Sequence, residues 1–297
     1  MLHGVLPVLL TPFTDTLDLD LPALQREIDW VIDHGADGVV MGMVSETLRL
    51  SSTERDRLAE ATCAAADGRV PVVTSVGAES QVTAVAHARA AAGYGAAAVM
   101  AIPPMATDAG EDEVFRYYAA IVEAIDIPVV VQDASGYLGN GLSIALQANL
   151  HRQFGSRVCF KPEAQPIGPK LSALRDATGA TAVIYEGSGG VALVDSYARG
   201  IAGTMPGADI VWAIAALWRA LVDGDEAAVN RLNGPISTLV LLQSTLDAYV
   251  AVQKHLLVRQ GVIPSAAVRG PVGYILDPES EREVDRLFDH LRAAVAG

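Results

Sequence analysis

The feature that most constrains the fold is an alternation between short apolar runs and Ala-rich amphipathic stretches of helical length, which occurs eight times in succession. The apolar runs begin roughly 20–33 residues apart, the length of a strand, a helix and two loops. Eight such units predict an α/β protein with a (β/α)8 TIM barrel, in which parallel strands close into a cylinder inside a ring of helices. The predicted strands are 5–11, 38–42, 70–76, 97–102, 129–132, 157–161, 182–186 and 201–205.

The pattern changes after about residue 222, where three predicted helices follow one another without an intervening strand. They span 223–242, 245–259 and 278–295, and a loop rich in proline and glycine, 261–273, joins the last two. The sequence therefore predicts a barrel at 1–222 and a C-terminal three-helix extension at 223–297. The alternative is a doubly wound sheet, which usually has a glycine-rich phosphate turn after its first strand, where this chain has Thr11-Pro12-Phe13.

The composition argues against several classes of partner. Hydrophobic residues make up 51% of the chain and charged residues 19%, which indicates a large buried core. The formal net charge of −14 and the lack of a basic block argue against binding to nucleic acid or to an anionic membrane. No apolar run reaches the ~18 residues of a membrane-spanning helix. The apolar N-terminus is interrupted by Pro7 and Pro12 and lacks the basic start of a signal peptide, so we expect a cytoplasmic protein.

Neither a metal site nor a disulfide is predicted. The two cysteines, Cys63 and Cys159, lie in apolar or Ala-rich surroundings, and the six histidines are scattered without the spacing of metal ligands. Both cysteines are interpreted as small core residues.

Lys161 is the first candidate for chemistry, because it ends the sixth predicted strand and is the one lysine among the eight strand ends. In such barrels the catalytic groups lie at the C-terminal ends of the strands. A lysine in apolar surroundings becomes nucleophilic when desolvation lowers its pKa, and the imine that it forms with a carbonyl withdraws electrons from the neighbouring carbon. Glu163 and Glu186, at the ends of strands six and seven, are predicted acid or base partners. For both, a carboxylate held by backbone N–H groups at a helix start stays open as the alternative.

Four segments, in order along the chain, carry a resemblance to a known family: Gly42-Met43-Val44-Ser45-Glu46 with the helix start after it, the strand 73–78, Lys161 and the strand 200–206. Over essentially the whole chain they resemble the pyruvate-dependent class I aldolases and dehydratases, which include dihydrodipicolinate synthase and N-acetylneuraminate lyase. The resemblance implies an imine between Lys161 and a 2-oxo acid, with an aldehyde as a second partner where a carbon–carbon bond is made, and no metal or organic cofactor. It also implies a homo-oligomer, a tetramer or a dimer. The apolar stretch 210–221 with Trp212 and Trp218 offers a surface for assembly, or else packs within the chain.

The chain departs from the family at positions that bind substrate and relay protons. Gln132 takes the place of the tyrosine on strand five, and a glutamine cannot titrate. A proton must then be moved by Tyr137, Glu163, Glu186 or a bound water, which makes dihydrodipicolinate synthesis itself unexpected. Elsewhere Met43 and Val44 replace two threonines, Ser45 replaces a glycine, Met105 replaces a tyrosine that crosses a subunit interface, and Tyr137 replaces an arginine.

The sequence therefore predicts a Schiff-base-forming lyase, an aldolase or a dehydratase, acting on a 2-oxo acid such as pyruvate or a 2-keto-3-deoxy acid. A non-catalytic barrel that binds a 2-oxo acid and a 4-hydroxy-tetrahydrodipicolinate synthase are the alternatives. Because Met43, Val44 and Met105 are apolar, the distal half of the substrate is expected to be less polar than a sugar acid. The predicted catalytic residues are Lys161, Gln132, Glu163 and Tyr137, and the predicted substrate-binding residues are Met43, Val44, Ser45, Gly187 and Met205.

Overall fold

Eight parallel strands follow one another around a single sheet in the computed structural model, which describes residues 2–137 and 141–297. The order is β1-β8-β7-β6-β5-β4-β3-β2, and a parallel bridge between Val8 and Val40 joins the two ends of this order. The predicted (β/α)8 barrel is therefore confirmed. The strands are β1 (Gly4–Val5), β2 (Val39–Met41), β3 (Val72–Ser75), β4 (Ala98–Ala101), β5 (Val129–Asp133), β6 (Val158–Pro162), β7 (Val183–Glu186) and β8 (Gly203–Thr204).

The first strand is shorter than predicted. Regular pairing with β8 covers Gly4–Val5. Beyond it, Leu6 N donates to Thr204 O and Val8 N donates to Pro206 O, and isolated bridges join Val8 to Val40 and to Gly207. Pro7 has no N–H to donate, so the hydrogen-bond ladder toward β2 lacks one bond directly after the strand. The chain still closes the barrel there, because Val40 N donates to Pro7 O at 2.9 Å and Leu9 N donates to Val40 O at 2.8 Å.

Alternate strand residues divide the core into two layers. Side chains inside the barrel form one cluster, whereas their neighbours along each strand pack outward against the helices. Both faces of the sheet are buried, which explains why the strands are continuous apolar runs without polar alternation. The inner cluster consists of Leu6, Val8, Val40, Val73, Ala98, Met100, Val130, Cys159, Tyr185 and Met205.

Eight helices alternate with the strands. Several begin at the kind of residue that accepts a hydrogen bond from the first turn: Asp20 accepts from Ala23 N, and Ser51 and Glu54 form a capping box. Within the described residues no helix is both long and apolar enough to cross a bilayer. The helices are α1 (Leu21–Asp33), α2 (Ser52–Ala66), α3 (Gln81–Gly93), α4 (Glu111–Ala124), α5 (Ile144–Phe154), α6 (Ile167–Ala177), α7 (Leu193–Ala198) and α8 (Val211–Asp223).

Three further helices form the C-terminal extension: α9 (Glu226–Val240), α10 (Leu246–Arg259) and α11 (Pro278–Ala296). Helix α9 packs against α8 and α11, so the extension continues the outer helical layer of the barrel. Helix α10 instead contacts the short 3-10 turn Met43–Ser45 that follows β2. It therefore lies at the C-terminal ends of the strands. The division of the chain at residues 222 and 223 stays a prediction.

Candidate active site

A cleft opens at the C-terminal ends of the strands. Its walls come from the ends of β2, β5, β6, β7 and β8, and from α10. The structure thus brings together residues as far apart in the chain as Val8 and Gln253. Eight of the nine predicted site residues border this cleft: Met43, Val44, Gln132, Tyr137, Lys161, Glu163, Gly187 and Met205.

The centre of the site is a buried lysine paired with a buried glutamate. Lys161 and Glu163 are two positions apart on an extended segment, so their side chains point to the same side of the sheet. Lys161 is 4% exposed, and its Nζ donates to Glu163 Oε1 at 3.0 Å. Gln132 lies opposite Lys161 on β5, and its Nε2 donates to Glu163 Oε2 at 2.5 Å. Gln132 therefore holds the carboxylate beside the amine.

The environment of Glu163 suits proton transfer in both directions. Burial raises the pKa of the Glu163 carboxyl, and this effect exceeds the opposing effects of the Lys161 ammonium and the Gln132 amide. A carboxyl whose pKa is moved toward neutrality can remove a proton from carbon and return one to it. The site thus holds a titratable group next to the amine, although the neighbouring residue on β5 is a glutamine that cannot titrate.

Gly187 is required by the close approach of these two side chains. A Cβ at this position would lie 2.7 Å from Lys161 Cε and 2.7 Å from Glu163 Cγ. Any side chain would therefore displace the amine, the carboxylate or both. The glycine at the end of β7 contributes by leaving this space open.

Two tyrosines form a second polar feature of the cleft. The hydroxyl oxygens of Tyr137 and Tyr249 are 3.5 Å apart, and the rings meet edge to face with centroids 5.6 Å apart. Burial raises the pKa of both phenols, so both carry a proton at neutral pH and can donate a hydrogen bond. Tyr137 was predicted from the end of strand five. Tyr249 was not, because it belongs to α10, outside the barrel repeat.

One signal in the sequence could have identified the residues of α10. Leu246, Tyr249 and Gln253 all border the cleft, and they are spaced at i, i+3 and i+7. This is the spacing of one face of a helix. It indicates that the three side chains share a face, but it does not indicate what that face contacts.

The 3-10 turn after β2 places backbone N–H groups at the edge of the cleft, and one of its side chains, that of Ser45, binds within the fold. Met43 and Val44 begin a 3-10 turn, and the first N–H groups of a helical turn have no partner inside it. Ser45 does not border the cleft. Its Oγ donates to Leu9 O at 2.5 Å and accepts from Gly42 N at 3.0 Å, which ties the turn to the segment after β1.

A second buried lysine fixes α10 against this turn. Lys254 Nζ donates to Glu46 Oε1 at 2.5 Å and to Ala267 O at 2.6 Å, and it lies 4.5 Å from the centre of the Phe13 ring. Burial lowers the pKa of Lys254, and the Glu46 carboxylate opposes this effect. Glu46 Oε2 accepts from Arg269 N at 3.1 Å, so the pair also holds the loop before α11.

Two other candidates lie away from the cleft. Glu186 accepts from Ser188 N and, at 2.6 Å, from Thr204 Oγ1, which connects β7 to β8. The alternative in which backbone N–H groups hold the carboxylate therefore applies to Glu186, through Ser188 N, but not to Glu163, whose oxygens accept from the side chains of Lys161 and Gln132. Met105 also does not border the cleft; its backbone N donates to Glu79 Oε1 at 2.8 Å.

Side chains able to bind a metal ion are dispersed over the molecule. His87 pairs with Asp56 at 2.6 Å, and His255 pairs with Asp285 at 2.9 Å, both away from the cleft. In the part of the chain that the structure describes, no group of three or more histidine, cysteine, aspartate or glutamate residues is arranged as a metal site.

Comparisons with known proteins agree with this geometry. The model of the dihydrodipicolinate synthetase family matches residues 1–291. A protein of Azospirillum brasilense named L-2-keto-3-deoxyarabonate dehydratase is 32% identical over 95% of this chain and 92% of its own. A 4-hydroxy-tetrahydrodipicolinate synthase of Thermomicrobium roseum is 30% identical over the same shares. The crystal structure of dihydrodipicolinate synthase from Rhodopseudomonas palustris superposes with a TM-score of 0.89 at 25% identity, covering 98% of each chain.

The family match spans the barrel and most of the extension, and the relatives cover nearly the whole chain. The predicted resemblance is thereby confirmed, together with the prediction of an enzyme. The chain belongs to the dihydrodipicolinate synthetase family and is an enzyme of the class I lyase type, as are the aldolases, dehydratases and synthases of that family.

Proposed function

We propose that this enzyme forms an imine between Lys161 and a 2-oxo acid and then eliminates water from it. The observation that carries the proposal is the placement of a buried amine 3.0 Å from a buried carboxylate, at the end of a barrel strand and in an open cleft. The amine attacks the carbonyl carbon, the carbonyl oxygen leaves as water, and a protonated imine remains. Its positive charge makes the hydrogens on the neighbouring carbon acidic.

The turn after β2 supports the binding of the substrate carboxylate. The N–H groups of Met43 and Val44 can donate to its oxygens, because backbone donors do not depend on the side chains that differ from the family. The loss of both threonines is therefore compatible with binding of a 2-oxo acid. Met43, Val44 and Met205 then pack against the apolar part of the ligand.

Glu163 is the group best placed to move the proton. As a carboxylate it removes a proton from the carbon next to the imine, and the electrons of that C–H bond form an enamine. The enamine then expels the hydroxyl on the following carbon, which takes up a proton and leaves as water. Tyr137 and Tyr249 are protonated donors in the same cleft and can supply this proton. Gln132 orients Glu163 and does not itself titrate.

Dehydration is preferred over aldol cleavage because of the relative at 32% identity, which is named a dehydratase of a 2-keto-3-deoxy acid. A 4-hydroxy-tetrahydrodipicolinate synthase is the second candidate, because a relative at 30% identity carries that name. Gln132, at the position of the relay tyrosine, weighs against the synthase. Incubation with pyruvate and aspartate semialdehyde tests the synthase directly, and we expect no condensation product.

Borohydride trapping tests the imine. The chain has three lysines, Lys161, Lys170 and Lys254, so the reduced adduct can be assigned by peptide mass spectrometry. We expect one pyruvate adduct, on Lys161. The adduct should disappear in Lys161→Ala and in Lys161→Arg, because a guanidinium stays protonated and cannot form an imine. Lys170→Arg is the matched control, since Lys170 lies on α6 away from the cleft, and it should trap as well as the wild type.

Measurement of product formation distinguishes an enzyme from a barrel that binds a 2-oxo acid without converting it. A set of 2-keto-3-deoxy acids should yield dehydrated products that nuclear magnetic resonance detects. An adduct on Lys161 without turnover of any such acid would instead support the non-catalytic alternative. No adduct with pyruvate or any other 2-oxo acid would overturn the proposal.

The assembly of the chain stays a prediction. Trp212 packs edge-on against Phe288 of α11, and Trp218 packs against Tyr197 of α7. Contacts within the chain therefore account for both tryptophans, and the homo-oligomer rests on the family resemblance. Sedimentation at micromolar concentration would test it, and a species of 31.1 kDa would contradict it.

A further inference from the structure

One residue next to the cleft has an uncommon backbone conformation. Glu46 directly follows the 3-10 turn Met43–Ser45, and its φ of 55° and ψ of 27° lie in the left-handed region. A side chain disfavours this region, because the Cβ then comes close to a carbonyl oxygen. A residue other than glycine keeps such a conformation only where the contacts around it hold it there. The contacts of the Glu46 side chain therefore help to determine where the turn lies.

The carboxylate of Glu46 is held by two segments of the C-terminal extension. Glu46 is buried, its Oε1 accepts from Lys254 Nζ of α10 at 2.5 Å, and its Oε2 accepts from Arg269 N at 3.1 Å. Arg49 Nη1 lies 3.9 Å from the same Oε2. The Lys254 ammonium and the Arg269 guanidinium lie 4.5 Å and 4.6 Å from the centre of the Phe13 ring, so both cations also pack on the segment after β1.

A hydrogen bond links Glu46 to the part of the turn that borders the cleft. Glu46 N donates to Met43 O at 2.9 Å, so a rotation of Glu46 out of the left-handed region would break this bond and move the N–H groups of Met43 and Val44. Both of these residues border the cleft, whereas Glu46 and Lys254 do not. The ion pair can therefore act on a ligand only through the turn.

We infer that Glu46 and Lys254 are positioning residues for the carboxylate of the substrate: their ion pair keeps the turn in the conformation in which the N–H groups of Met43 and Val44 meet the ligand. This inference rests on the proposed function, in which those N–H groups bind the carboxylate. It gives the C-terminal extension a part in the recognition of the 2-oxo acid. The pair acts on affinity for the carboxylate and not on the amine of Lys161, which is held by groups at the ends of β5 and β6.

The test compares pyruvate with pyruvamide, in which an uncharged amide replaces the carboxylate. Borohydride trapping on Lys161 is measured against the concentration of each compound. We expect the wild type to trap pyruvate at about tenfold lower concentration, because hydrogen bonds to a charged acceptor are the stronger ones. In Lys254→Met/Glu46→Gly this ratio should fall to about two or less. The variant removes both charges together, and glycine adopts the left-handed conformation without strain, so the change reports the lost contacts of the turn.

Tyr118→Phe is the matched control. Tyr118 is fully buried on α4, and its hydroxyl donates to Ala101 O at 3.0 Å, away from the cleft. The substitution removes a buried polar contact without touching the turn, so the preference for pyruvate should stay at its wild-type value. An equal fall in this control would show that a general loosening of the fold changes the preference, and it would overturn the inference.

Glu46→Gln keeps the test decisive if the double variant fails to fold. The amide oxygen still accepts from Arg269 N, but the ion pair with Lys254 is lost, so the ratio should fall by about threefold. An unchanged ratio in either folded variant would overturn the positioning role. A wild type that traps both compounds equally well would also overturn it, while the adduct on Lys161 would leave the imine proposal standing. Failure of pyruvate and every other 2-oxo acid to trap would overturn both.

Discussion

The molecule contains two buried pairs of lysine and glutamate, and they differ in how completely the lysine is satisfied. Lys254 is fully buried, and its Nζ contacts Glu46, the carbonyl of Ala267 and the face of the Phe13 ring. Lys161 is also buried, but among the described residues its Nζ has one partner, Glu163, and it borders an open cleft. An ammonium has three N–H donors, so Lys161 retains donor capacity that Lys254 has used.

This difference separates an ion pair that stabilises the fold from one that can react. A lysine whose N–H donors are all bound, in a closed space, cannot exchange its partners for a ligand, and its amine cannot attack a carbonyl. A pair with one contact and an adjacent space can release its amine to a ligand. Burial alone therefore does not identify a reactive lysine; the open side and the unused donors do.

The largest effect is expected on turnover when the incompletely satisfied lysine is replaced. Lys161→Met should lower kcat by about 10⁴-fold or more, because the nucleophile that forms the intermediate is lost. The free energy of unfolding should change little, since Glu163 can take up a proton once its partner is removed. Steady-state kinetics and urea unfolding measure the two quantities. Marked destabilisation with residual turnover would contradict the distinction between the two pairs.

The opposite outcome, a loss of stability, is expected for the pair of Lys254 and Glu46. Lys254→Met should lower the free energy of unfolding by about 3–5 kcal/mol, because the buried Glu46 carboxylate then has Arg49 at 3.9 Å as its cationic partner in place of Lys254 at 2.5 Å. The double variant Lys254→Met/Glu46→Gln should recover part of this loss, since the uncharged amide keeps an acceptor for Arg269 N. Urea unfolding of the single and double variants checks this, and equal stability of the two would show that the buried charge is not the cause.

The activity of the Lys161–Glu163 pair should also depend on Gly187, which lies beside it. Gly187→Ala should lower kcat/KM by about 10²-fold, because the new methyl group displaces Lys161 or Glu163 from its position. Gly234→Ala is the matched control: it lies in α9 with no atom within 4 Å of the added group, and it should leave kcat/KM unchanged. Equal kinetics of the two variants would show that the close packing at Gly187 has no functional role.

The last effect depends on pH and concerns a carboxyl near the pair of Lys254 and Glu46. Burial raises the pKa of Glu27 from 4.5 to about 8, while Lys254 and the N–H of Leu10 oppose this shift. Between pH 4.5 and 8 the folded state therefore binds more protons at this site than the unfolded state, and the free energy of unfolding falls as the pH rises. Glu27→Gln should remove this fall and stabilise the protein by up to about 4 kcal/mol at pH 8, with little effect at pH 4.5.

The measurement for Glu27 is urea unfolding of both proteins at several pH values between 4.5 and 8. The amide of the variant retains an acceptor for the Leu10 N–H, which Glu27 Oε1 accepts at 2.8 Å. A constant difference between the two proteins across this range would contradict titration of Glu27.

The barrel and most of its site could be predicted because both depend on local pattern. Strand periodicity places Lys161 and Glu163 on the same side, and the parallel order places Gln132 beside them. The position of a residue at a strand end does not, however, determine where its side chain hydrogen-bonds. Ser45 and Glu186 occupy suitable positions, and both satisfy neighbouring polar groups of the fold.

The contribution of α10 could not be predicted from the repeat. Tyr249, Gln253 and Lys254 lie after the last strand, and their partners are distant in sequence: Glu46, for example, is 208 residues from Lys254. Helical spacing predicts which of them share a face, but the surface that the helix packs against depends on tertiary structure. The segment 245–259 nevertheless supplies three residues that border the cleft, Leu246, Tyr249 and Gln253.

Gln253 and Lys254 are adjacent on α10, and substitutions at the two positions should affect the evolution of the enzyme differently. Lys254 anchors the helix to the turn after β2, whereas Gln253 faces the cleft one position earlier. A substitution of Gln253 changes the side chain that α10 presents to the cleft and leaves the Lys254–Glu46 ion pair in place. The groups around Lys161 meanwhile come from the barrel strands. Substrate preference can thus evolve by single substitutions on α10, while Lys161 and the residues around it on the barrel strands stay unchanged.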